Sequence, residues 1–141
     1  MRALCALGLL LALTGCLEPG GQGISYRDQD PPRVSQTDPA ANGRVAKTGV
    51  IQITFSEPMD DRSLAPGIAL LSGTQNVPLQ VYLPPTNAPE PVLRGPFTVT
   101  VQPTAPLAGD APYTLVLKTL LADTAGNPLP EEVRVGFFTL P

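Results

Sequence analysis

The sequence predicts an all-β domain built as a two-sheet sandwich of about seven short strands. Apolar residues alternate strictly with polar ones: Ile51, Ile53 and Phe55 share one face, with Gln52 and Thr54 on the other. Phe97, Val99 and Val101 repeat the pattern, and this period of two is that of a strand with one buried face. Proline and glycine, 18 and 13 of 141 residues, recur too often for long helices and bound each apolar stretch with turn chemistry.

The first segment, residues 1–15, reads as a signal peptide. Arg2 precedes an apolar run over 3–13, followed by the small residues Thr14 and Gly15 and then Cys16. A basic start, a short apolar core and a small-residue cut point are secretory features. The run is well short of the roughly 20 residues that cross a bilayer. Leu13-Thr14-Gly15-Cys16 resembles the lipobox of bacterial lipoproteins. That resemblance implies a diacylglyceryl thioether on Cys16, cleavage before it and an acylated new N-terminus. Two or more acyl chains anchor a protein stably, so the implied partner is a membrane, reached through Cys16. The competing reading is an ordinary secreted chain with a chance cysteine. Leu17 stands where an Asp favours inner-membrane retention in some bacteria, which leans towards the outer membrane.

Residues 16–31 lack an apolar period and read as the lipidated cysteine and a flexible tether, with an r.m.s. span of roughly 20 Å. Ile24 and Tyr26 are its apolar members. The domain is then expected over 32–141. Its strands are expected at 33–36, at 50–55 with Val45 on the approach, at 68–71, 77–83, 97–101, 113–117 and 133–139. Residues 57–64 are a turn or a single helical turn. The proline-rich stretch 84–96 is an inserted loop.

Five phrases in this order resemble the SbsA-type bacterial Ig-like domain, over about residues 32–139. The most specific is Ile51-Gln52-Ile53-Thr54-Phe55-Ser56-Glu57-Pro58-Met59-Asp60. The others are the 38–43 loop, Pro106-Leu107 ahead of Tyr113, the Asp123-Thr124-Ala125-Gly126-Asn127 turn and the closing Phe137-Phe138-Thr139. The resemblance implies an Ig-like Greek-key sandwich. The 84–96 loop departs from the family pattern in length and proline content. The residues read the same way independently. Tyr113 follows a 107–112 corner and suits a tyrosine corner, in which the hydroxyl bonds upstream backbone; the alternative is a plain core tyrosine. Gly126-Asn127 is a natural tight turn. Phe55 and Phe137 are expected in the core. With no tryptophan and no disulfide, cohesion rests on aliphatic burial, at about 25 cal/mol per Å².

Composition narrows the chemistry. The chain is acidic, with a formal net charge of −3, which leaves no electrostatic case for nucleic-acid binding. Of its two cysteines, Cys5 leaves with the signal peptide and Cys16 is lipidated on this reading. None remains for a disulfide, a thiolate metal site or a nucleophile. Histidine is absent, and with it the commonest general base. Ser56 and Glu57 are adjacent, and adjacent strand residues face opposite ways. No phosphate loop stands between a strand and a helix. The expectation is no enzyme and no cofactor.

Two candidate sites remain. In a sandwich the loop after the second strand and the loop before the last share an end. Asp60 and Asp61 can then approach Asp123 and Asn127 as oxygen ligands for Ca²⁺. The alternative is that Asp60 caps a helical turn and Asp123 sets a β-turn. The second candidate is the stiff loop with Pro84, Pro85, Val92, Leu93 and Arg94 as a binding element for an envelope protein or polysaccharide; the alternative is an inert spacer. Loops 56–67, 83–96 and 119–131 and the incoming tether are expected at one end, facing the membrane or a neighbouring envelope protein. The function expected is a non-catalytic, lipid-anchored envelope module that serves as scaffold, spacer or interaction domain. An adhesin-like or polysaccharide-binding module is the rival, and a small calcium-binding or hydrolytic protein the remote one.

Overall fold

A computed structural model describes residues 27–84 and 95–141. The signal segment, Cys16, most of the tether and Pro85, Val92, Leu93 and Arg94 lie outside the described residues.

Among the described residues nine strands and one short helix follow in the order β1 (Val34–Asp38), β2 (Arg44–Val45), β3 (Ile51–Phe55), α1 (Asp61–Gly67), β4 (Ile68–Ser72), β5 (Gln75–Val77), β6 (Leu79–Tyr82), β7 (Phe97–Pro103), β8 (Pro112–Leu117) and β9 (Val133–Thr139). They form a four-stranded sheet, β1-β3-β7-β6, and a five-stranded sheet, β2-β9-β8-β4-β5. This is the expected sandwich with Greek-key connections. The seven expected strands are all present, and two short ones are added.

Both additions arise where the chain changes sheets. The first strand runs antiparallel to β3 as β1. After a turn through Asn42, which has φ 63°, it resumes as β2, parallel to the end of β9. The 77–83 stretch, read as one strand, is two. Residues up to Val77 pair with β4, whereas Leu79 onward pair with β7. Pro78 sits at the switch, where a missing N–H cannot interrupt either ladder. The helical turn expected at 57–64 is observed slightly later, as α1.

The alternating residues meet between the sheets. Ile51, Ile53, Phe55, Val99 and Val101 of one sheet pack against Leu70, Leu115, Leu117, Val135 and Phe137 of the other, all buried. Fully burying one such side chain contributes about 1.5–3 kcal/mol. Met59, Leu64, Leu121 and Leu129 close one end of this core, and Leu107 is buried with it. Tyr113 stacks on Phe137, with ring centroids 6.1 Å apart.

Candidate functional site

Four segments converge at one end of the sandwich. Phe55 pairs with both Val34 and Phe97, so 27–33, the 56–67 segment and the residues flanking 85–94 leave the first sheet together. The second sheet contributes 118–132 at the same end. At the opposite end lies the 107–112 corner. There Ala108 N–H donates to the Tyr113 hydroxyl at 2.9 Å, which makes Tyr113 a tyrosine corner. Thr139, fully buried, donates its hydroxyl to Ala108 C=O (2.6 Å) and accepts from Ala111 N–H (2.9 Å).

The acidic turn is built as a helix start. Asp60 has extended backbone and caps α1, accepting from Arg62 N–H at 3.0 Å. The same carboxylate takes a two-pronged contact from the Arg62 guanidinium, through Nε at 3.0 Å and Nη2 at 2.8 Å. Those hydrogen bonds hold its pKa below the ordinary aspartate value. Ser63 ties the helix to the neighbouring loop: its hydroxyl donates to Asp60 C=O (2.7 Å) and accepts from Ala122 N–H (3.1 Å). Leu64 points into the core, and Gly67 packs against Leu121 so closely that a Cβ would lie 2.5 Å from Leu121 Cγ.

The 118–131 loop folds around a buried carboxylate. Asp123 is 1% exposed and accepts from Asn127 N–H and from Asn127 Nδ2, both at 2.8 Å. Gly126, with φ 91°, makes the reversal that brings Asn127 back. A bridge between Met59 and Asp123 joins this loop to the acidic turn, and Asp60 N–H donates to Ala122 C=O at 2.9 Å. The two loops therefore do meet, but Asp60 faces Arg62 and Asp123 faces Asn127, as in the capping and turn alternative. Asp61 is exposed in the first turn of α1. Among the described residues, no three Asp, Glu, Cys or His side chains form a ligand set for a cation.

The last residues of the expected tether are held on this end. Asn127 Nδ2 donates to Asp28 C=O (3.1 Å) and Asp30 C=O (3.3 Å), and Arg27 Nη2 donates to Ala125 C=O (3.1 Å). Arg33 N–H donates to the Ser56 hydroxyl at 3.0 Å. This gathers Asp28, Asp30 and Asp123 around Glu57. Partial burial first, and then Asp123, Asp28 and Asp30, raise the Glu57 pKa above its ordinary value, against a lowering from the Ser56 hydroxyl. Ser56 thus bonds Arg33, just ahead of β1, and also Glu57 at 3.5 Å, because both lie past the end of β3 where strand alternation no longer separates them.

The proline loop opens on the same end. Pro84 is half-buried, Leu83 is exposed, and Gly95 has φ 107° where the chain returns to β7. Leu120 is exposed on this end as well.

Ser63 and Thr139 are the structural polar residues that sequence reasoning did not single out. Ser63 lies three residues after the Asp60 cap, and Thr139 ends the Phe137-Phe138-Thr139 phrase. Those spacings were the available signals.

The sequence model of a family described as Bacterial Ig-like domain matches residues 28–139. Among solved structures, the N-terminal part of the bacterial S-layer protein SbsC is similar at a TM-score of 0.54 and 19% identity, over 77% of this chain and 23% of that one. SbsC residues 31–844 are similar at 0.52 and 19%, over 76% of this chain and 13% of that one. Domains 1–6 of the surface layer protein SbsC are similar at 0.53 and 18%, over 77% and 14%. The chain thus spans less than a quarter of the length of each. No curated protein matches it in sequence.

Proposed function

The chain belongs to the bacterial Ig-like domain family, and on that premise we propose that it is a non-catalytic cell-envelope module, anchored through lipid on Cys16, that acts as a spacer or interaction domain. The observation that carries this reading is the fastening of residues 27–30 to the 123–127 turn. Ten residues separate Cys16 from Arg27 in the sequence. A lipid at Cys16 therefore sets the 56–67 and 118–131 loops towards the membrane and the 107–112 corner away from it. The outer membrane is the expected site, from Leu17 at the position after the cysteine.

A spacer role suits the side chains at this end. Three of the candidate side chains are engaged, Ser56 with Arg33 and Glu57, Asp60 with Arg62 and Asp123 with Asn127, while Asp61 is exposed. A domain with one pinned end and a sealed core transmits position rather than turnover.

The test is fractionation with mass spectrometry. The wild-type chain is expected in the membrane fraction, with its new N-terminus at an acylated Cys16. Cys16→Ala is expected to block cleavage and acylation, leaving no lipid-modified form. An unmodified cysteine in a wild-type chain that retains residues 1–15 overturns the anchor.

A further inference from the structure

The outer face of the four-stranded sheet is built mostly from hydroxyl and amide side chains. With Ile51, Ile53, Phe55, Val99 and Val101 turned inward, the alternate side chains face solvent. Register aligns them across the strands. Gln36, Thr54 and Thr98 form one row. Asp38, Gln52, Thr100 and Tyr82 form the next, and Gln80 faces Gln102 beyond it. Of these side chains only Asp38 is charged, whereas the acidic residues of the 56–67 segment and of 28–30 gather at the loop-bearing end. Thr54 and Thr98 hydroxyls lie 3.0 Å apart.

Among the described residues Tyr82 is the one aromatic ring on this face, and it is 46% exposed. Its hydroxyl donates to Gln80 Oε1, two residues earlier on the same strand. That bond requires the ring to lean along the strand over the face rather than stand away from it. The ring thus offers an apolar flank beside a field of hydroxyls and amides, each able to donate and to accept.

We propose that this face docks a neutral, β-linked glycan. A nearly uncharged face on an acidic protein favours an uncharged partner over an ionic one. Hydroxyls and amides match a partner whose own polar groups are hydroxyls. The apolar C–H face of a pyranose fits the Tyr82 ring. Neighbouring strands lie about 4.8 Å apart, close to the length of one pyranose along an extended β-linked chain. A glycan laid across the strands along the Asp38–Gln52–Thr100–Tyr82 row therefore meets one side chain per sugar, with its terminal pyranose on Tyr82. The proposal goes beyond the envelope-module reading and does not depend on Cys16.

The test is nuclear magnetic resonance of the isotopically labelled full chain, titrated with cellohexaose and with chitohexaose. Saturable shifts are expected at Gln52, Gln80, Tyr82, Thr98 and Thr100 with at least one of the two. Tyr82→Ala is expected to weaken binding about tenfold, the equivalent of one stacking contact. Thr100→Glu, which puts a carboxylate mid-row, is expected to abolish it. Leu120→Ala at the loop-bearing end is expected to leave it unchanged. The absence of shifts with both sugars, shifts confined to residues 56–67 and 118–131, or binding indifferent to both sheet variants overturns the proposal. The fractionation of Cys16→Ala reads the anchor separately, so either reading can fail without the other.

Discussion

Thr139→Val removes one hydroxyl and nothing else of comparable size, and the corner it holds makes the cost large. The hydroxyl donates to Ala108 C=O at 2.6 Å and accepts from Ala111 N–H at 2.9 Å, at a residue with no exposed surface. Valine satisfies neither. Each backbone group left without a partner costs about 1–3 kcal/mol, and the added methyl returns about 0.8 kcal/mol. The expected net loss for the two groups together is about 1–5 kcal/mol. With an unfolding entropy of about 2.1 cal/mol/K per residue, a domain of this size loses about 4 °C per kcal/mol. Tm is therefore expected to fall by about 5–20 °C. Urea unfolding should show a lower midpoint with an unchanged m-value. Tyr113→Phe removes the acceptor of Ala108 N–H, on the other side of the same residue. The two substitutions are therefore expected to couple by at least about 0.5 kcal/mol in a double-mutant cycle. A Thr139→Val cost below about 0.5 kcal/mol, or strict additivity with Tyr113→Phe, would falsify the account of the corner.

Gly67→Ala drives a methyl to 2.5 Å from Leu121 Cγ and is expected to cost about 1–3 kcal/mol, measured by thermal melts; Leu121→Ala in the same chain should relieve the overlap. Glu57 has a raised pKa when folded, so its ionisation opposes folding. Its destabilising effect is absent below the ordinary glutamate range and develops as pH rises through the raised value. Glu57→Gln is accordingly expected to raise Tm at pH 7 and not at pH 3, and a gain equal at both would rule out the charge as cause. Asn127→Ala frees the carbonyls of Asp28 and Asp30, so trypsin is expected to cut after Arg27 faster than in the wild type, while unchanged cleavage would show that other contacts hold the segment.

Much of the sandwich could be read along the chain because one physical rule governs it. A half-buried strand must alternate, and the Ile51–Phe55 and Val133–Thr139 strands carry that alternation in their residues. The capping role of Asp60 and the turn role of Asp123 were legible as alternatives to a cation site, since short acids before a helix or a Gly-Asn reversal bond their own backbone. What was not legible came from partners distant in sequence. Pro78 is a local mark of a break within 77–83, but which sheet each half joins follows only from the strands it reaches.

The sequence by itself determined the fold class and the inward faces of the long strands, because side-chain alternation is a local property. Only the tertiary structure decided that Asp60 faces Arg62 rather than Asp123, that Ser63 and Thr139 bind their loops, and that Asn127 holds residues 28 and 30. It alone also aligned Asp38, Gln52, Thr100 and Tyr82 into one row. Most of those outcomes depend on contacts between segments far apart in sequence, up to 99 residues, which the fit of the buried faces brings together.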